Sequence, residues 1–192
     1  MIDWTQQWQQ FAHNFKEGKS HIDLTPFGGT STLLLEPGPG FGDLSHPTTH
    51  LMLKLLAPLV PHKTVLDIGC GSGILTLAAL LLDAHSALGI DIDPDAITHA
   101  QHNALLNNLP ATFTDKTPPQ TFDVALINMI TSEQDVVFQH PPKAKIWVVS
   151  GLLATQKKAY LASRPGWTLL QEASQGEWIG LVCKAALHFA SP

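Results

Sequence analysis

Residues Val65 to Ile74 read VLDIGCGSGI: an apolar run, an acid, three glycines at alternate positions and the apolar opening of a helix. Glycine carries no Cβ, so Gly69, Gly71 and Gly73 let the chain turn sharply and lie directly against a ligand. A dinucleotide loop spaces its glycines G-x-G-x-x-G and seats a pyrophosphate on a helix N-terminus, whereas the spacing here is G-x-G-x-G. Asp67, just upstream, would repel a phosphate. It suits a cationic or amino-bearing group, such as the methionine end of S-adenosylmethionine, through charge-assisted hydrogen bonds. This favours a methyl donor over NAD. Ala87 to Asp93 reads ALGIDID and presents Asp91 about twenty residues beyond the glycine loop, where an acid accepts both ribose hydroxyls. Asp93 and Pro94 then read as an N-cap and first-turn proline, opening a helix that runs towards Asn108.

These residues need a sheet to hold them. From Thr64 onward strand and helix patterns alternate, which calls for an α/β fold with a mostly parallel sheet and helices on both faces. Seven strands are predicted: 64–68, 87–90, 111–114, 124–128, 146–150, 167–171 and 178–184. The last two follow a short turn at Gln175 and Gly176, so the final strand is expected to enter as an antiparallel hairpin edge. Upstream, Trp4, Trp8, Phe11 and Phe15 form one stripe of an amphipathic helix, expected to pack on the core. The stretch from His21 to Leu35 reads as extended or looped, broken at Gly28 and Gly29. Pro47 opens a helix carrying Leu51, Met52, Leu55 and Leu56 on one face, and Pro58 and Pro61 end it.

At 192 residues with 44% hydrophobic content, the chain is expected to form one domain, with residues 1–46 supplying an N-terminal helix and a segment covering the cofactor. The longest apolar stretch, Ile74 to Leu82, is too short to cross a bilayer, and the polar, Gln-rich start lacks signal-peptide character, so a cytoplasmic protein is expected. A net charge of −5 argues against a nucleic-acid binder relying on a broad basic field, and tolerates a basic protein partner. Cys70 and Cys183 have no metal-like spacing and read as reduced packing residues. His99 and His102 lie on a helix without acidic or cysteine partners nearby in sequence, so no metal site is expected and the ten histidines read as scattered over the surface.

The run EPGPGFGDLSHPTTHLML, from Glu36 to Leu53, followed by VLDIGCGSGIL and GIDIDPDAI, resembles the PrmA-type methyltransferases that modify the eleventh large-subunit ribosomal protein. That family's first run is typically P-G-x-x-F-G-T-G-T-H-P-T-T, matched here by Pro37, Gly38, Phe41, Gly42, His46, Pro47, Thr48 and Thr49. The likeness extends from Trp4 to Lys184 and includes Asn128 and the SGLL run, Ser150 to Leu153. It implies a class I, Rossmann-like methyltransferase fold that moves methyl groups from S-adenosylmethionine to protein amino groups, leaving S-adenosylhomocysteine. Members modify α-amino and lysine nitrogens, up to trimethylation.

The resemblance maps Phe41, Gly42, His46, Pro47 and Thr48 near the sulfonium and amino-acid end of the cofactor. Asp67, Gly69, Cys70, Gly71, Asp91 and Ile92 carry over as further contacts. Asn128, at the C-terminal end of the fourth strand, maps to the active-site asparagine that would orient the incoming amine. His46 is expected to shape its loop by hydrogen bonding.

Three departures bear on substrate. The family carries a small N-terminal domain that captures the ribosomal protein, and this chain starts near the tryptophan-bearing linker, so capture is expected to be missing or different. Asp43 and Leu44 stand where the family has Thr-Gly. Asp43 is therefore a candidate to draw in a substrate ammonium and help pass its proton to water, against the plainer reading that it caps a turn. Met129, Ile130 and Thr131 replace Ile-Leu-Ala, a milder change. The run NMIT lacks the Asn-Pro-Pro-aromatic pattern of enzymes that methylate a flipped base. The resemblance implies a protein such as a ribosomal protein as the acceptor, with another protein or a small molecule as the alternative and a cofactor-binding pseudoenzyme as a further one.

Overall fold

The computed structural model describes residues 4–11, 14–40, 42 and 45–185, without the side chains of Gln7 and Phe11. Its main sheet has seven strands: β4 (Thr64–Ile68), β5 (Ser86–Ile90), β6 (Thr112–Thr114), β7 (Thr121–Asn128), β8 (Lys143–Leu153), β9 (Trp167–Gln175) and β10 (Trp178–Ala185). Their order is β6-β5-β4-β7-β8-β10-β9. Strands β4 to β8 run parallel, and the β9–β10 hairpin occupies one edge, with the antiparallel β10 as its inner strand. All seven predicted strands lie where the sequence pattern put them, with ends moved by up to four residues.

The central strands are nearly continuous apolar runs because both faces are covered. Alternation along β7 sends Val124 and Leu126 to one face and Ala125 and Ile127 to the other, each within a separate core cluster. The first cluster lies under α2 (Pro47–Leu56), α3 (Ile74–Leu81) and the N-terminal elements. The second lies under α5 (Thr131–Val137) and α6 (Lys157–Ala162), around Trp147, Tyr160, Trp167 and Phe138. Helix α3 is apolar almost all round because it is enclosed, with Ile74 to Ala79 all buried.

Where the sequence suggested extended or looped chain over 21–35, the structure has a second, antiparallel sheet that starts earlier, of β1 (Phe15–Lys16), β2 (Lys19–Asp23) and β3 (Thr32–Leu35). Its alternation is easy to miss, because β2 buries Ser20 beside Ile22 and therefore shows only one apolar inward residue. Helix α1 (Trp4–Phe11) docks Trp8 into the first cluster as expected, but the helix stops short of Phe15, which packs on the same cluster from β1. Cys70 and Cys183 are buried and free, and burial raises both thiols, that of Cys183 to about 11. No helix among the described residues is long and apolar enough to cross a membrane.

Candidate functional site

Parallel strands deliver their C-terminal ends to one edge of the sheet. The strand order reverses between β4 and β7, and open α/β sheets hold ligands in the crevice at such a switch point. Here the crevice opens between the glycine loop after β4 and Asn128 at the end of β7, and it forms a cavity of about 380 Å³. That volume falls within the range of small-molecule sites.

The loop's shape follows from its glycines. Gly69, Gly71 and Gly73 all take positive φ, and Gly73 delivers the chain into α3. Gly69 and Cys70 both donate backbone N–H groups to the Ile90 carbonyl, which ties the loop to the end of β5. Gly71 N–H donates to Oδ2 of Asp91 at 3.0 Å, while Oδ1 of Asp91 accepts from Asp93 N–H at 3.1 Å. Asp93 in turn caps α4 (Pro94–Leu106) by accepting from Asp95 N–H at 2.9 Å, the arrangement its sequence predicted.

Asp67 does not line the cavity. It lies buried beneath the loop, where Oδ2 accepts from the Thr76 hydroxyl at 2.7 Å and the Thr76 N–H at 3.0 Å. Burial, only partly offset by these bonds, pushes its carboxyl up to about 7.

Residues 36–40 and Gly42 lie across the glycine loop, and α4 holds the first of these there. Asn103 accepts from Glu36 N–H at 3.0 Å and donates to the Ser72 carbonyl at 2.9 Å. His99 accepts from Gly40 N–H at Nδ1, so Nε2 carries the ring proton and faces the Glu36 carbonyl at 2.7 Å. Burial keeps this imidazole neutral by lowering its pKa. The expectation of surface histidines therefore fails at His99, which is only 7% exposed. Its partners lie about sixty positions away in sequence, beyond the reach of local spacing. A Cβ on Gly40 would stand 2.4 Å from the Gly71 carbonyl carbon, so glycine is required for this backbone-on-backbone contact. Ser72 completes it by donating to the Gly42 carbonyl at 2.6 Å.

His46 caps α2, with Nδ1 accepting from Thr48 N–H at 3.3 Å and lying 2.8 Å from the Thr48 hydroxyl. This is the loop-shaping geometry expected of it. Its ring meets Trp178 edge to face at 4.9 Å between centroids, and both rings border the cavity.

The structure thus gathers Gly69, Gly71, Asp91, His46, Thr48 and Asn128 around one cavity. Gly42, Pro47, Cys70 and Asp67 stand behind that lining: Gly42 and Pro47 support the covering segment and α2, Cys70 and Asp67 the glycine loop. Ile92 borders an adjoining cavity of about 460 Å³ that shares Gly69, Asp91 and Met129 with the first. Ile92 is 96% exposed, an apolar side chain open to whatever enters there. Phe41 and Asp43 lie outside the described residues.

Sequence reasoning passed over Trp178, Met129, Gly151 and, in the adjoining cavity, Asp115. Gly151 carried a signal in the SGLL run. It adopts φ +84°, and a Cβ there would stand 2.1 Å from the Met129 carbonyl oxygen.

Comparison with known proteins fits this geometry. The family model described as ribosomal protein L11 methyltransferase (PrmA) matches residues 2–186. The ribosomal protein L11 methyltransferase of Teredinibacter turnerae is 36% identical over 195 residues, covering 92% of this chain and 64% of the relative. That of Geobacter sulfurreducens is 35% identical over 198 residues, covering 94% and 65%. The chain therefore spans about two thirds of the length of these relatives. The crystal structure of ribosomal protein L11 methylase from Lactobacillus delbrueckii subsp. bulgaricus superposes with a TM-score of 0.68 at 29% identity, covering 79% of this chain and 84% of that one. At 12% identity, M. capricolum TrmK, solved with S-adenosyl-homocysteine, shares the fold with a TM-score of 0.56, covering 68% and 66%.

Proposed function

Since the chain belongs to the ribosomal protein L11 methyltransferase (PrmA) family, we propose that it methylates protein amino groups from S-adenosylmethionine, with ribosomal protein L11 as the first acceptor to test. The observation that carries this reading is the pairing of the glycine loop with Asp91, set across the switch point from Asn128. A ribosomal protein acceptor would place the reaction in the cytoplasm.

The cavities fit the cofactor. Gly69 and Gly71 both line the first cavity, and at Gly69 the Met129 side chain packs straight onto the backbone, where a Cβ would stand 2.2 Å from its Cε. Asp91 retains acceptor capacity for ribose hydroxyls beyond its two backbone bonds. Ile92 offers an apolar face to an adenine ring, and Asp115 and Thr117 bring polar atoms to the same cavity. When bound, S-adenosylmethionine supplies a methyl group activated by a sulfonium.

The protein's part is positioning. An amine has to reach the activated carbon in line and without its proton, so a closed cavity that fixes the angle supplies much of the acceleration. Asn128 lies at the end of β7 with a side chain that no described residue engages, and its amide oxygen is free to accept from a substrate N–H. Trp178 borders the same cavity, and its indole ring displaces water from that wall, which disfavours the ammonium form of an entering amine. No covalent intermediate with the protein is required.

Incubation with methyl-labelled S-adenosylmethionine, purified ribosomal protein L11 and a fractionated cell extract tests the reading. Label in L11 is the expected result. Label confined to a different protein or to a small-molecule fraction would move the acceptor elsewhere, and cofactor binding without any transfer would leave a binding protein.

A further inference from the structure

The parallel ladder between β7 and β8 ends at the pair Asn128 and Ser150, and the cavity begins there. Just past this pair the two backbone segments touch, since a Cβ on Gly151 would collide with Met129. The carbonyls of Met129 and Ser150 both face α5 at this point. Gln134, fully buried on α5, bridges them: its Nε2 donates to the Met129 oxygen at 2.7 Å and to the Ser150 oxygen at 2.8 Å. A primary amide carries two N–H groups on one nitrogen and so can bridge two carbonyls at once.

The amide is itself held. Its Oε1 accepts from the Tyr160 hydroxyl at 2.5 Å, which fixes the nitrogen end towards the strands. Tyr160 lies beneath the Arg164 guanidinium, 3.6 Å from its ring centroid, and Arg164 pairs with Asp135 at 2.9 Å. Helices α5 and α6 are thereby locked behind the bridge.

We propose that Gln134 is a positioning residue for the methyl transfer put forward above, acting through the Met129 and Ser150 carbonyls to fix the amide of Asn128 against the acceptor amine. The inference rests on that reading of the function. Leucine at this position would keep the bulk and remove the bridge to both carbonyls. Glutamate would keep the shape and put one oxygen in place of the nitrogen that carries both donors. In either case the strand ends are free to part, and Asn128 moves with them.

The test measures kcat and KM separately for methyl transfer from S-adenosylmethionine to purified ribosomal protein L11. It compares wild type, Gln134→Leu, Gln134→Glu, Asn128→Ala and the double variant Gln134→Leu/Asn128→Ala, with folding followed by near-UV circular dichroism. Gln134→Leu is expected to lower kcat by about tenfold to a hundredfold while the KM for S-adenosylmethionine moves less than about threefold. In the Asn128→Ala background the same substitution should change kcat by less than about twofold, because its route of action is already lost. Gln134→Glu should follow Gln134→Leu.

A wild-type kcat in Gln134→Leu, or losses that multiply in the double variant, would overturn the inference while leaving the proposed function intact. A wild-type protein that methylates no acceptor would overturn the function, and the inference with it. If Gln134→Leu fails to fold, Tyr160→Phe carries the same comparison, with a kcat loss of about threefold to tenfold expected and an unchanged kcat contradicting the inference.

Discussion

Gly40 donates its backbone N–H to Nδ1 of His99 at 3.1 Å, so α4, the helix that follows Asp91, also grips the segment lying over the glycine loop. Burial holds the His99 imidazole below its ordinary pKa of 6.5, with His102 adding to the effect and Glu36 opposing it. The unfolded chain therefore takes up a proton near 6.5 that the folded chain refuses. Stability falls as pH drops through that value and levels off once the folded pKa is passed. His99→Leu should be less stable than wild type by about 1–3 kcal/mol at neutral pH, with the gap narrowing towards about pH 5. Thermal melts of both proteins across that range check it, and faster hydrogen exchange at Gly40 N–H in the variant is the local readout.

Asp67 has the opposite pH dependence. Its carboxyl is pushed up to about 7 by burial, from an ordinary 3.8, so between those values the folded chain holds a proton that the unfolded chain has lost. That contribution to stability is complete below the ordinary value and is lost as pH rises to the folded one. Asparagine keeps an acceptor for both Thr76 bonds and carries no charge. Asp67→Asn should therefore match wild type near pH 4 and exceed it by about 2–4 kcal/mol at pH 8. Parallel denaturation curves for the two proteins at all pH values would contradict the assignment.

Gly151 combines positive φ with a contact no side chain fits. Gly151→Ala is expected to destabilise the fold by at least about 2 kcal/mol and to push the Met129 turn into the cavity. Chemical denaturation gives the first effect. Weakened binding of S-adenosylhomocysteine gives the second, since Met129 borders both cavities.

Asp91 is expected to carry the ribose contact. Asp91→Ala should weaken S-adenosylmethionine binding by about 1–3 kcal/mol in calorimetry, through loss of a charged acceptor and of the bond that shapes the loop at Gly71. Unchanged affinity would place the ribose elsewhere.

The parts of the fold written in local patterns were readable from sequence. Apolar runs between turn residues marked all seven strands of the main sheet, and Asp93-Pro94 marked the start of α4 through cap chemistry confined to three residues. The glycine loop and Asp91 were readable because their spacing reflects one turn and one crossover. What stayed hidden depends on partners distant in the chain. His99 looks like a surface histidine until the Glu36–Gly40 segment crosses it. Gln134, flanked by Glu133 and Asp135, reads as one more polar position on a short helix, and only the convergence of two strand ends gives it a buried task. Trp178 sits at a hairpin and joins the cavity through the placement of β10 beside β8.

The most direct test of the proposed chemistry is the intact mass of ribosomal protein L11 after incubation with this chain and S-adenosylmethionine, with Asn128→Ala run alongside. Mass increments of whole methyl groups, mapped by fragmentation to amino nitrogens and reduced at least about tenfold in rate by Asn128→Ala, are the predicted result. L11 of unchanged mass, with S-adenosylmethionine shown to bind, would contradict methylation of this protein acceptor.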